Sequence, residues 1–113
     1  MAELNDSKAK VAQLQLLQQN LQSLLIQKQQ FQMQLNEVDS AMTEMNDAKQ
    51  AYKIIGNIMV LSTKDELTKQ LTQRKESFEL RLKAIESQEE KLRKKAEELQ
   101  KEVVFDIKKG GAE

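Results

Sequence analysis

Leu14, Leu17, Leu21, Leu24, Lys28, Phe31, Leu35, Val38, Met42 and Met45 follow one another at alternating steps of three and four residues. On an α-helix that spacing draws a single narrow stripe, the heptad seam of a coiled coil. Leu14 takes an a position and Leu17 a d position, with Lys28 the one polar member. Residues 13–34 contain ten glutamines, a composition that on its own suits a low-complexity, aggregation-prone tract. The regular apolar spacing argues for a helix with a purpose. The second half repeats it: Leu71, Phe78, Ile85, Leu92 and Leu99 recur as d positions, with Lys75, Leu82, Glu89, Ala96 and Val103 as a positions between them. Thr63-Lys64-Asp65-Glu66 reads as a capping box that starts this second helix. The acids of its first turn suit the helix dipole. Gly110-Gly111 ends the helix or follows a frayed end.

Two such helices can fold back on each other. With the reversal between Gly56 and Asn57, Leu14 meets Leu99, Leu17 meets Ala96, Leu21 meets Leu92, Leu35 meets Phe78 and Met42 meets Leu71. The polar exceptions then fall together: Leu24 faces Glu89, Lys28 faces Ile85, and Lys28 reaches Glu89 diagonally. A buried polar pair of this kind usually costs stability and fixes register. A slip of one heptad also aligns apolar residues. Forty-odd helical residues make an arm roughly 60–70 Å long.

Composition closes off other classes. Aromatic residues are only 4% of the 113, too few for a conventional globular core, and there is no Cys, His, Trp or Pro. Disulfides, thiolate chemistry and the usual general base and soft metal ligand are therefore absent. Eighteen basic residues balance eighteen acidic ones, leaving no basic field for nucleic acid, and there are no stacking aromatics. Residues 1–50 carry four basic and six acidic side chains and residues 51–113 fourteen and twelve, a mild asymmetry that suits two halves lying side by side. No apolar run approaches the ~20 residues of a membrane span. Glu3 and Asp6 stand where a signal peptide would be basic. The expectation is a soluble cytoplasmic protein without cofactor. Glu89-Glu90 and Glu97-Glu98 are neighbours that point in different directions on a helix, so no enzyme is expected. The methionines at 33, 42, 45 and 59 read as core filler.

Residues 51–62, AYKIIGNIMVLS, break the helical vocabulary. Residues 51–55 and 58–62 read as strands, and a Gly-Asn loop with Gly first suits a type II′ hairpin turn. Ile55 then faces Ile58, Ile54 faces Met59 and Tyr52 faces Leu61. Both faces are apolar, because neighbours such as Ile54 and Ile55, or Val60 and Leu61, point to opposite sides. An isolated two-stranded hairpin is marginal in water and has two open edges. Tyr52, Ile54, Ile55, Ile58, Met59, Val60 and Leu61 are therefore expected to pair with hairpins of other chains. A hydrophobic turn packed on its own helices is the alternative.

A helix–hairpin–helix of this size resembles prefoldin, and its single hairpin resembles the β-class subunit. The resemblance covers most of the chain. It is most specific in AYKIIGNIMV and in LRLKAIESQEEKL (residues 80–92), with LLIQKQQFQMQLNEV (residues 24–38) in support. The balance of features looks archaeal. The resemblance implies one prefoldin-like domain over 1–113: an N-terminal helix 1–50, a hairpin 51–62, a C-terminal helix 63–107 and a tail 108–113. It implies a mainly α fold, a long antiparallel coiled coil whose hairpin joins others in a β-barrel platform. It further implies a hetero-hexamer of two α-class and four β-class subunits, copies of this chain among them. The family's activity is capture of unfolded clients and delivery to a group II chaperonin without ATP. The stretch VVFDIKKGGAE carries no family motif to transfer.

For client capture the sequence points to the helix ends. Leu4, Val11 and Leu16 fall off the seam phase, as does Ile26, and Val103, Val104, Phe105 and Ile107 cluster where the regular heptads stop, near Leu14 and Leu99. Together with Leu14 they form a candidate soft, promiscuous apolar surface. A frayed terminus closing on itself, Leu4 or Val11 over Phe105, is the competing reading. The run KLRKKAEELQK (residues 91–101) reads as a solvated helix face with i,i+4 pairs, or as a chaperonin-docking surface. A structural coiled coil, a scaffold, tether or filament component, is the alternative function. The hairpin is what separates the two, since a plain rod would turn through a polar loop.

Overall fold

A computed structural model describes the backbone of residues 2–111 and the side chains of residues 6–109. Four elements follow in order: α1 (Ala2–Asp47), β1 (Ala51–Ile55), β2 (Ile58–Ser62) and α2 (Lys64–Gly111). Every expected seam position, from Leu14 to Met45 on α1 and from Leu71 to Val103 on α2, is buried or half-buried. The buried apolar side chains among the described residues are Val38, Leu82, Ile85 and Val103, at 6–8% exposure. All four are seam positions. Two helices cover a side chain from two directions only, so the core is a line rather than a volume.

The helix ends differ from the sequence expectation, and charge explains both differences. α1 stops at Asp47, short of residue 50, with no basic residue in its last turn, where carbonyl groups favour cations. Lys64 supplies the cation from the start of α2, its Nζ donating to the Asn46 carbonyl at 3.3 Å. α2 continues through Lys108 and Lys109, which favour its C-terminal dipole, to Gly111. The expected tail from residue 108 is therefore helical as far as Gly111. At the start of α2 the Glu66 N–H donates to Thr63 Oγ1 at 3.2 Å, one half of the capping box. The Glu66 carboxylate accepts from the Ser62 hydroxyl at 3.4 Å instead of reaching back to Thr63.

The strands pair antiparallel with Ala51 opposite Ser62, Tyr52 opposite Leu61, Ile54 opposite Met59 and Ile55 opposite Ile58. That is the register expected from the sequence. Gly56 has φ +60°, and among the described residues no other type has positive φ. A type I′ turn needs positive φ at both central residues, so Gly56 alone carrying it matches type II′.

The chain forms two compact units, and both helices contribute to each: Met1–Lys28 with Ala84–Glu113, and Gln29–Lys83. In the second unit the Phe31 and Phe78 rings lie 6.1 Å apart at 42°, and the Arg81 guanidinium stands 5.5 Å over the Phe31 ring. Lys75 Nζ meets Asp39 Oδ1 at 2.9 Å, and this hydrogen-bonded carboxylate raises the Lys75 pKa. In the first unit Lys28 Nζ lies 3.8 Å from Glu89 Oε2, while Glu89 Oε1 accepts from Arg93 at 2.7 Å. Glu89 Oε2 is buried and has no hydrogen-bond partner.

If this pair specifies register, Lys28→Leu alone will destabilise the chain by about 1 kcal/mol, because the buried Glu89 Oε2 loses its nearby cation while Arg93 still answers Oε1. Lys28→Leu with Glu89→Leu will match or exceed the original stability. Urea denaturation of the four members of the cycle measures this, and a coupling near zero removes the pair from register control.

Candidate functional site

Two surfaces concentrate the exposed apolar residues, while Leu25, Ile26, Met33 and Leu80 are exposed singly elsewhere on the helices. The first is the hairpin. Tyr52, Ile54, Ile55, Ile58, Met59, Val60 and Leu61 are all exposed, at 43–70%. Strand alternation puts Tyr52, Ile54, Met59 and Leu61 on one face, and Ile55, Ile58 and Val60 with Lys53 on the other. The Tyr52 hydroxyl donates to Gln50 Oε1 at 3.0 Å, which holds the polar tip of the ring at the strand base. Neither face is covered by the chain's own helices. Met59 is therefore no core filler. Met33 is also exposed, because it falls on the side of α1 opposite the seam. Met42 and Met45 are half-buried in the seam.

The second surface is at the helix ends. Val11, Leu16, Val104, Phe105 and Ile107 are exposed, Phe105 most of all at 66%. Leu14 is half-buried in the seam. The side chain of Leu4 lies outside the described residues. Val103 stands in both sequence readings, as an a position of the seam and as a member of the end cluster; at 8% exposure it is a core residue and leaves the exposed set, because the seam does not stop at Leu99. By helical phase Val11, Val104 and Ile107 lie to one side of the seam and Leu16 and Phe105 to the other.

Beyond Val103 the seam continues in polar form. Asp106 Oδ2 accepts from Lys10 Nζ at 3.0 Å and from Ser7 Oγ at 3.5 Å. Lys10 Nζ also reaches Glu102 Oε2 at 3.4 Å. Sequence reading placed fraying here. The signal was available, since Ser7 and Lys10 continue the a and d phase of α1 and Asp106 continues the d phase of α2, but a polar continuation does not register in a search for apolar stripes. The Asp106 hydrogen bond, helped by the charges of Asp106 and Glu102, raises the Lys10 pKa above its ordinary 10.5.

A helix pair with a thin core, carrying an apolar hairpin that it cannot cover, is the architecture of an assembly subunit. Among the described residues no acidic cluster has the spacing to hold a metal ion, and no helix is long and apolar enough to cross a membrane. Comparison with known proteins agrees with that class. The family model for prefoldin subunits matches residues 8–108. The prefoldin β subunit of Archaeoglobus fulgidus is 41% identical over 82% of this chain and 83% of its own length. That of Pyrococcus abyssi is 37% identical over 84% of each. The crystal structure of the prefoldin β subunit from Thermococcus strain KS-1 superposes with a TM-score of 0.83 at 36% identity, over 87% of this chain and 89% of that one. The chain belongs to the prefoldin family, and these relatives are β subunits. Prefoldin subunits are chaperones rather than enzymes, and they assemble with other prefoldin subunits.

The polar clamp has a defined pH response. A lysine whose folded pKa is raised contributes stability in full below its unfolded value of 10.5 and loses it as pH rises through the raised value. The helix ends will separate in that alkaline window, read by the distance between spin labels at positions 6 and 108. Asp106→Asn will remove the step; a step that persists in that variant assigns it to another group.

Proposed function

We propose that this chain is a holdase subunit in which the hairpin assembles the complex and the helix ends capture unfolded polypeptides. The observation that supports the reading best is the hairpin: seven large apolar side chains, exposed on both faces of a two-stranded sheet. Isolated, such a sheet exposes two open edges and an area of apolar surface that water disfavours. Edge-to-edge pairing with hairpins of other chains satisfies the unpaired backbone groups and buries both faces at once.

The chain acts as one prefoldin-like domain in the cytoplasm. Its partners are α-class prefoldin subunits and further copies of itself, in a hexamer of two α and four β chains whose hairpins close into β-barrels. Val11, Leu16, Val104, Phe105 and Ile107, with Leu4, offer clients weak apolar contacts on both sides of the seam. Several such ends in one assembly act together, so that no single contact has to be tight. Captured chains pass to a group II chaperonin without ATP.

Two experiments test the two roles separately. Ile55→Asp with Val60→Asp places charges in the proposed buried sheet, at a cost of several kcal/mol. Sedimentation will then show monomers or dimers that remain helical by circular dichroism, and an unchanged mass takes the hairpin out of the interface. For capture, the buried Val103 and the Lys10–Asp106 clamp make point substitutions cleaner than truncation. Phe105→Ser with Ile107→Ser will leave assembly and helicity unchanged while most suppression of aggregation of a diluted, denatured client is lost. Full suppression by this variant moves client binding away from the helix ends.

A further inference from the structure

The hairpin is apolar on both faces with one exception. Lys53 is the sole charged residue of residues 50–63. It stands at the midpoint of β1 (Ala51–Ile55), opposite Val60 at the midpoint of β2 (Ile58–Ser62). It is half-buried, on the face that carries Ile55, Ile58 and Val60. Among the described residues its ammonium has neither an ion-pair nor a hydrogen-bond partner.

A lysine at the centre of an otherwise hydrophobic strand decides what that strand can pair with. Both edges of the two-stranded sheet are open. A second copy that joins an edge antiparallel does so about a two-fold axis, so the same strand faces itself. Overlap of all five residues centres on the strand midpoint. At the β2 edge that sets Val60 against Val60, a β-branched cross-strand pair that stabilises a sheet. At the β1 edge it sets Lys53 against Lys53 with Cβ atoms about 5 Å apart, and like charges directly opposite are destabilising. Sliding by one residue is closed off, because only alternate residues turn their N–H and C=O groups outward. Sliding by two leaves two of the five residues without a partner. Covering this face without an answering charge is no escape, since it buries a bare ammonium.

We propose that Lys53 makes the two edges of the hairpin unequal. The β2 edge accepts another copy of this chain, whereas the β1 edge rejects one and takes a strand of a different prefoldin subunit with an Asp or Glu at its midpoint. That carboxylate answers Lys53 as the face is covered, and the apolar residues around it are buried in the same step. Lys53 is thus a specificity-determining residue: it limits self-assembly to pairs and keeps one edge for an unlike chain. The inference rests on the reading that hairpins pair edge to edge, and adds to it which edge meets which partner.

The test uses the full chain with its Lys53→Glu variant as the acidic probe, the two distinguished by an isotopic label. Sedimentation and native mass spectrometry read size and composition. Either chain alone will stop at pairs formed through β2. An equimolar mixture will form larger assemblies in which unlike chains meet, at about five- to tenfold lower concentration than either chain alone. Salt at about 1 M will cancel that advantage. Lys53→Val, which removes the charge and keeps a strand-forming side chain, will grow past pairs by itself, and salt will not reverse it. Circular dichroism checks that each variant keeps its helices. The proposal is overturned if the mixture is no larger than its components, or if Lys53→Val stops at the size of the unaltered chain. Ile55→Asp with Val60→Asp separates the two readings. If it abolishes the pairs while the Lys53 variants change nothing, edge pairing stands and the role of Lys53 falls. If it too leaves the mass unchanged, edge pairing falls as well.

Discussion

A seam one side chain deep is the constraint on which everything else depends. Two antiparallel helices bury a stripe and nothing more, so Val38, Leu82, Ile85 and Val103 are the most enclosed apolar residues and none is sealed completely. Stability under this geometry is a sum of layers rather than a property of one core. That is also why charged residues are tolerated in the stripe. Lys28 and Glu89 keep 35% and 14% of their side-chain surface in solvent, so neither pays the full desolvation cost of a buried ion.

In the proposed register role, charge in the seam would supply what leucines alone cannot. Heptads of leucine align about equally well after a shift of seven residues, but Lys10 with Asp106, Lys28 with Glu89 and Lys75 with Asp39 meet in one alignment only. A one-heptad slip carries each pair roughly 10 Å apart. The first of these pairs also holds the helix ends together where the apolar residues run out, which leaves Val104, Phe105 and Ile107 displayed on an ordered helix.

Because the seam is fully occupied, apolar residues elsewhere have no intramolecular destination. The hairpin shows this most clearly. Its backbone is specified locally, by Gly56 with φ +60° and by β-branched strands, yet its side chains remain uncovered. The proposed pairing with hairpins of other prefoldin subunits would give that surplus a place to be buried.

The sequence by itself determined the helix–hairpin–helix order, the seam positions, the strand register and the turn type. Each of these depends on local periodicity or on one residue's backbone freedom: steps of three and four for the helices, Gly-Asn for the turn. The diagonal approach of Lys28 to Glu89 was legible too, because one seam placed against the other fixes its polar exceptions. Tertiary structure decided between the two readings that the sequence left for Val103, a seam position or a member of the exposed end cluster. Val103 and Phe105 are two positions apart and both apolar, but a two-helix interface admits only the one in phase, and whether that phase persists depends on Ser7, Lys10 and Asp106 meeting across the pair. It also decided that Lys91 and Lys95 have no ion-pair partner among the described residues while Arg93 and Lys94 do, since charge balance along a helix depends on which rotamers reach which neighbours, and spacing does not encode that.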